Sequence, residues 1–247
     1  MTARDAEAPP LPGRAIIRQQ WGEVSFLHWR VEPARVAPML PPGTRPDVFD
    51  GSSWVGLIGF MLSGHRFLPL PPVPVLGTFA EINVRLYSID DNDERGVVFL
   101  SLDADRLLPV LAANALYGLP YTWSRVAAVR RGDTWRYRSV RHTGGRVGTR
   151  FSVRGLGEAD DTPLAHHLTA RWGFHEAVRG RTIYGRNIHS PWPLQRGRLL
   201  SLDDDLLEAA GFEGLAASEP ASVLVSPGAV VTDFARPSTV TASGRRR

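Results

Sequence analysis

The chain has no lysine: all 29 of its lysine-plus-arginine positions are arginine. A lysine amine is the usual side-chain source of an imine with a carbonyl substrate. Its absence excludes a side-chain Schiff base, a lysine-anchored pyridoxal phosphate, a Walker-A phosphate loop and the phosphate-binding lysine of a kinase. Cysteine is absent too, which excludes disulfides, thiol nucleophiles and thiolate metal sites and suits a reducing compartment. Long apolar runs are missing. The longest, Trp54 to Leu62, is about half of what a bilayer span needs. Met1 to Pro10 carries acidic residues and no apolar h-region, so no signal peptide is expected there. These absences predict a cytoplasmic protein that does not enter a membrane.

Net charge is small as well. It is +4, and the last three residues, Arg245 to Arg247, are all arginine. No linear block of basic residues is interleaved with aromatics, so nucleic-acid binding is not expected. What the chain does have is core-forming and turn-forming material. At 43% hydrophobic residues it can bury a large core, and 24 glycines with 20 prolines favour many short strands over a helical bundle.

The pattern predicts flexible tails over 1–13 and 238–247 around a single domain at 14–237. Strands are expected at Trp21 to Val31, Trp54 to Leu62, Thr78 to Ile89, Val97 to Asp103 and Tyr121 to Arg130. A hairpin joins Trp135 to His142 with Arg150 to Gly155, and Ala221 to Ser226 and Val230 to Phe234 close the fold. Asp50-Gly51 marks a turn. Helical segments are expected at Val36 to Leu40, Pro109 to Tyr117, Pro163 to His175 and Leu202 to Ala210, and a Pro-rich loop at Leu68 to Val75. The fold class is mainly β with a few helices, in a mostly antiparallel barrel or sandwich.

Four stretches could carry chemistry. In Thr78 to Tyr87, alternation puts Ala80, Ile82, Val84 and Leu86 on one face and Glu81, Asn83 and Arg85 on the other. The polar face is either solvated or the wall of a pocket. Phe79 and Tyr87 share that face, which favours the pocket. In Ser25 to Arg30, His28 and Arg30 share a face, and His28 is an acid–base candidate or a satisfied structural histidine. Tyr121, Trp123 and Arg125 share a face, so Tyr121 is either a hydrogen-bond donor to an oxyanion or a core tyrosine. Ile188 to Leu194 holds His189 beside Trp192 in a loop stiffened by two prolines, either as a packing plug or as a ligand contact. No metal site is expected: His166, His167 and His175 lack ligand spacing, and no HExxH occurs. No cofactor is expected either, since no GxSxG elbow or complete dinucleotide fingerprint is found.

Five blocks in order carry a family resemblance: Phe-Leu-His-Trp-Arg at 26–30, Asp-Gly-x-x-Trp-Val-Gly-Leu at 50–57, Phe-x-Glu-Ile-Asn-Val-Arg at 79–85, Leu-Pro-Tyr at 119–121 and His-Ser-Pro-Trp-Pro-Leu at 189–194. Over residues 15–235 the chain resembles the YqjF-like uncharacterised bacterial proteins, distant relatives of acetoacetate decarboxylase. The resemblance implies a closed, mostly antiparallel β-barrel or cone around a small buried cavity. The decarboxylase motif, a helix ending Tyr-Gly-Phe-Pro and followed by two lysines, is similar to Tyr117-Gly-Leu-Pro120 followed by Tyr121-Thr122 here. Its cavity carboxylate is similar to Glu81. The lysine pair is replaced, so imine-type decarboxylation by a side chain is excluded.

What the resemblance implies is a protein that holds a small carbonyl or carboxylate compound. Arg85, Arg125 or Arg30 would bind the acid group, and Asn83, His28 and His189 are further contact candidates. Glu81 would handle protons and Tyr121 would polarise a carbonyl. As an enzyme it would be a lyase, hydratase or isomerase working without a Schiff base. The alternatives are a non-catalytic binder or sensor on the same cavity, and a structural subunit whose strand faces form ion pairs. Homo-oligomerisation is expected by analogy alone.

Overall fold

The computed structural model describes residues 7–71, 77–105, 118–143 and 145–240. The expected helix Pro109 to Tyr117 and the second half of the Pro-rich loop, 72–75, lie outside them. The elements in chain order are β1 (Ile17–Val31), α1 (Pro33–Val36), β2 (Thr44–Pro46), β3 (Ser53–Phe67), β4 (Phe79–Asp90), β5 (Arg95–Ala104), β6 (Tyr121–Arg131), β7 (Thr134–Arg141) and β8 (Gly148–Ala159). They continue with α2 (Pro163–Thr169), β9 (Gly173–Val178), β10 (Arg181–Ile188), β11 (Gln195–Asp204), α3 (Leu206–Ala209), β12 (Ser222–Phe234) and β13 (Ser238–Thr239).

All thirteen strands belong to one hydrogen-bonded sheet, and its pairings return on themselves. One path runs β1–β3–β4–β5–β6–β7–β8–β11–β12 and back to β1. A second leaves β5 through β9 and β10 and rejoins at β12. Strands β12, β1, β3, β4 and β5 are therefore common to both. The pairings are antiparallel except β5 with β6 and β5 with β9. The fold is mainly β, ring-like, with short helices at its edges.

Much of the length of the shared strands β1, β3, β4 and β5 is buried on both faces, because each path closes over one of them. On β4, Ala80, Ile82, Val84 and Leu86 enter a core with Trp29, Trp135, Phe151 and Val225. Each such side chain removed from water is worth about 1.5–3 kcal/mol. Two indoles of this core are also satisfied: Trp29 Nε1 donates to the Ser218 carbonyl at 3.0 Å and Trp135 Nε1 to Glu23 at 2.8 Å. The opposite face of β4 turns towards the second path.

Asp50 and Gly51 both adopt positive φ (51° and 73°), a two-residue turn that closes the Phe49–Ser52 bridge. Three expected elements differ. The helix from Pro163 ends at Thr169 rather than His175: Ala170 leaves helical geometry, and Gly173 to Val178 pairs with β10 as a strand. The expected helix Leu202 to Ala210 begins as strand β11 on β8 and becomes helical only from Leu206, where Asp204 accepts from Leu207 N–H at 2.8 Å. The two expected closing strands are a single strand, β12, because a bulge opposite Gly22 and Val24 absorbs Pro227-Gly228. Residues Ser238–Thr239, in the stretch expected to be a loose tail, pair with β10.

Candidate functional site

A cavity of about 140 Å³ lies between the polar face of β4 and the second path of strands. An apolar protein cavity of ~150 Å³ can hold a molecule the size of benzene. Ile17, Ile58, Phe60, Phe99, Phe174 and Phe234 make most of the wall apolar. Into it come Glu81, Asn83 and Arg85 from β4, Tyr121 from the start of β6, Arg171 from the turn after α2, and His189 and Trp192 from the loop after β10.

Alternation along β4 places Glu81, Asn83 and Arg85 together, and burial makes the wall a low-dielectric one: Glu81 is only 2% exposed. Tyr121 donates its hydroxyl to Glu81 Oε2 at 2.8 Å, and Asn83 Nδ2 reaches Oε1 at 3.5 Å. Burial pushes the Glu81 carboxyl up and outweighs these two hydrogen bonds, with a smaller push from nearby Asp103. The result is a pKa of about 7. Burial also raises the Tyr121 phenol well above its ordinary range, and the Glu81 charge adds to it, so Tyr121 stays a protonated donor.

Arg85 is held by its edges. Its Nε donates to Tyr87 Oη at 3.0 Å and its Nη2 to the Leu168 carbonyl at 3.2 Å. It has no acidic partner among the described residues. The Tyr87 hydroxyl accepts from Arg85 and lies in a hydrogen bond with His28 Nε2 at 2.6 Å, and His28 Nδ1 has no hydrogen-bond partner among the described residues. Burial first, then Arg85, drives the His28 pKa well down, and the ring is neutral.

Behind Arg85 lies a buried ion cluster. Asp47 accepts from Arg95 Nε at 2.7 Å and from Arg171 Nη1, and Arg171 Nε also donates to the His167 carbonyl at 2.7 Å. Burial raises the Asp47 carboxyl, but the two guanidiniums more than offset this and hold it below its usual range. Burial lowers Arg171 to about 10 and His167 to about 3, the latter helped by Arg171. Two arginines against one carboxylate and a neutral histidine leave this end of the cavity positive.

His189 is neutral as well. Its Nδ1 donates to the Ser190 carbonyl at 2.7 Å, it packs among Trp21, Trp172 and Trp192, and burial lowers its pKa to about 4. Three polar atoms of lining residues have no hydrogen-bond partner among the described residues: Trp21 Nε1, Asn83 Oδ1 and Asn187 Oδ1. Buried polar groups in that condition are exceptional, and a bound polar molecule satisfies them.

Of the residues expected at a site, Glu81, Asn83, Arg85, Tyr121 and His189 line this cavity. His28 stands one layer back and touches it through Tyr87 and Arg85. Arg30 and Arg125 do not join it. Arg30 lies outside, on Asp50 at 3.2 Å and over the Trp54 ring. Arg125 is exposed because only Tyr121 to Trp123 of β6 pair with β5; beyond them the strand diverges with β7 and the Tyr121 face turns to solvent. Sequence reasoning missed Arg171, Gln19, His65 and Asn187. Arg171 lay inside the segment expected to be helical, and the signal that could have exposed it was Gly173 two residues on.

A second cluster looks catalytic in composition only. Ser88 Oγ and His175 Nδ1 are 2.8 Å apart and Asp90 lies 3.8 Å from His175 Nε2. All three are buried and none lines the cavity. Among the described residues no group of His, Cys, Asp and Glu could hold a metal ion, and no helix is long and apolar enough to cross a membrane.

The fold defines a class. The acetoacetate decarboxylase-like enzyme from Sphingomonas wittichii RW1 superposes with a TM-score of 0.66 at 13% identity, over 93% of this chain and 94% of that one. Acetoacetate decarboxylase from Legionella pneumophila gives 0.65 at 12%, over 95% and 92%. The enduracididine biosynthesis enzyme MppR complexed with pyruvate gives 0.62 at 18%, over 94% and 93%. The chain thus has the acetoacetate decarboxylase-like fold. Within that class it belongs to the DUF2071 family of uncharacterized conserved proteins, which matches residues 18–230. The uncharacterized protein YqjF of Bacillus subtilis (strain 168) is 31% identical over 183 residues, 73% of this chain and 75% of that protein.

Proposed function

We propose that the cavity binds a small carbonyl compound bearing a carboxylate and that Glu81 moves a proton on it, without a covalent intermediate. The observation that carries this reading is the pairing, in one cavity wall, of a carboxyl poised near neutrality with a guanidinium that has no acidic partner among the described residues. A general acid–base works best with a pKa near the working pH. Arg85 offers the substrate carboxylate charge-assisted hydrogen bonds at the positive end of the cavity. Tyr121 holds Glu81 in place. The reactions this set suits are enolisation, hydration or dehydration, and cyclisation. An imine on a side chain is excluded because no lysine exists. The binding of pyruvate by the similarly folded MppR supports the choice of ligand class.

The reading fixes a pH dependence for binding. A substrate anion is tolerated beside Glu81 when Glu81 is protonated, so binding weakens as pH rises through about 7. Calorimetric titration with pyruvate tests this. The expected result is tighter binding at about pH 6 than at about pH 8, and a loss of about tenfold or more in Arg85→Met, the cost of one charge-assisted hydrogen bond. Unchanged affinity in Arg85→Met would remove Arg85 from the site. Binding of pyruvate with no proton transfer to or from it would leave a binder or sensor.

A further inference from the structure

The outer face of the sheet formed by β6, β7, β8 and β11 gathers arginines that are scattered in sequence. Arg125 and Arg131 on β6, Arg136 and Arg138 on β7, Arg150 on β8 and Arg198 on β11 are all exposed. The pairing register puts them on one surface. Arg138 stands opposite Ala127 on one side and Arg150 on the other; Arg136 stands between Val129 and Ser152; Arg131 pairs with Thr134. None of the six has an ion pair or side-chain hydrogen bond among the described residues. The acidic groups nearby are few: Asp133 is engaged by Arg154 at 3.7 Å, and Asp203 faces Arg150 without closing an ion pair. Like charges directly opposed on a sheet, as in Arg138 and Arg150, are destabilising. The fold tolerates that cost with no internal compensation.

Small residues lie between the arginines. Ala127, Val129, Ser152 and Ser201 floor a shallow trough of about 510 Å³ whose walls include Arg131, Arg136, Arg138 and Arg150. At the end of the same face of β6, Trp123 is 43% exposed and packs on His142 with ring centroids 4.2 Å apart. Positions two apart on a strand are ~6.6 Å apart and opposed positions ~5 Å apart. That spacing suits the successive phosphates of an extended polynucleotide, and guanidinium forks match phosphate oxygens. The exposed Trp123 supplies a surface on which a base can stack.

We propose that this face binds single-stranded nucleic acid, with the phosphodiester backbone in the arginine trough and a base on Trp123. A second copy of the chain related by a two-fold axis would set arginines against arginines. A membrane surface is the competing occupant, since Val129 and Leu156 are also exposed on this face, and a comparison with vesicles decides between the two. The inference is independent of the cavity. The sequence expectation of no nucleic acid rested on the small net charge and on the lack of a basic block interleaved with aromatics, and alternation with buried residues hides this patch from a reading along the chain.

Fluorescence anisotropy with labelled oligo-uridylate and oligo-thymidylate tests it on the full chain. The expected result is salt-sensitive binding that falls about tenfold in Arg136→Gln/Arg138→Gln, with the log–log salt slope reduced by about 1.4 for two lost phosphate contacts. Arg125→Gln/Arg198→Gln repeats the test on other strands. Arg45→Gln, off this face, is expected to bind as the parent does. Trp123→Ala weakens binding without changing the salt slope. No binding at low salt, parent-like binding by either double variant, or a loss in Arg45→Gln equal to theirs overturns the proposal. So does tighter capture by phosphatidylserine–phosphatidylcholine vesicles than by either oligonucleotide.

Discussion

Glu81 sits where water does not solvate its charge, and the chain holds it there with one phenol and one amide. That arrangement has a thermodynamic signature. In the unfolded chain a glutamate titrates near ~4.3; in the fold Glu81 titrates at about 7. A raised folded pKa contributes stability that is fully present below the unfolded value and is lost as pH rises through the folded one. Between about pH 4.5 and about pH 7 this amounts to on the order of 3 kcal/mol. Urea unfolding of the protein and of Glu81→Gln, each at about pH 5 and about pH 8, isolates it. The parent is expected to lose that much relative to Glu81→Gln on going to the higher pH. Parallel pH profiles would show that Glu81 is not held at a raised pKa. Glu81, Asn83 and Arg85 were legible in the sequence because two aromatics flank them on the same strand face. Arg171 was not, because the ion cluster that holds it joins Asp47, Arg95 and His167, residues distant in sequence that nothing local connects.

At the scale of elements, the least legible parts are the ones the cavity most depends on. Strands β9 and β10 form its outer wall, and neither shows the strong alternation of β4. Their pairing relies on fit between glycines and rings: a Cβ on Gly185 would lie 2.3 Å from the Phe174 ring, and one on Gly173 would lie 2.4 Å from the Tyr184 ring. These residues read locally as helix continuation or loop, and only tertiary pairing makes them strands. The central strands β1, β3, β4, β5, β6, β7 and β8 were legible because period-2 patterning and turn residues agree there. Gly185→Ala is expected to destabilise the protein by about 1–3 kcal/mol through overpacking against Phe174, read as a lowered urea midpoint. Adding Phe174→Leu is expected to recover part of the loss. An unaltered midpoint in Gly185→Ala would show that the wall is looser than this packing implies.

At the scale of the molecule, one sheet encloses two interiors. The first path of strands closes over an apolar core and the second closes over the cavity, with β4 supplying a wall to both. The fold class and the family were readable from ordered motifs; the cationic outer face was not, since it exists only after four strands align. With no lysine in the chain a side-chain imine is excluded, and proton transfer through Glu81 is the chemistry we propose for the cavity. The most direct test is solvent exchange at the methyl group of pyruvate in deuterium oxide, followed by proton NMR. The expected result, with pyruvate saturating at each pH, is exchange accelerated by the protein and rising with pH as Glu81 ionises in the complex. It should be abolished in Glu81→Gln, while pyruvate still protects that variant against unfolding. Exchange that persists undiminished in Glu81→Gln, or that the parent protein never accelerates although it binds pyruvate, would contradict the assignment of Glu81 as the proton-transferring group.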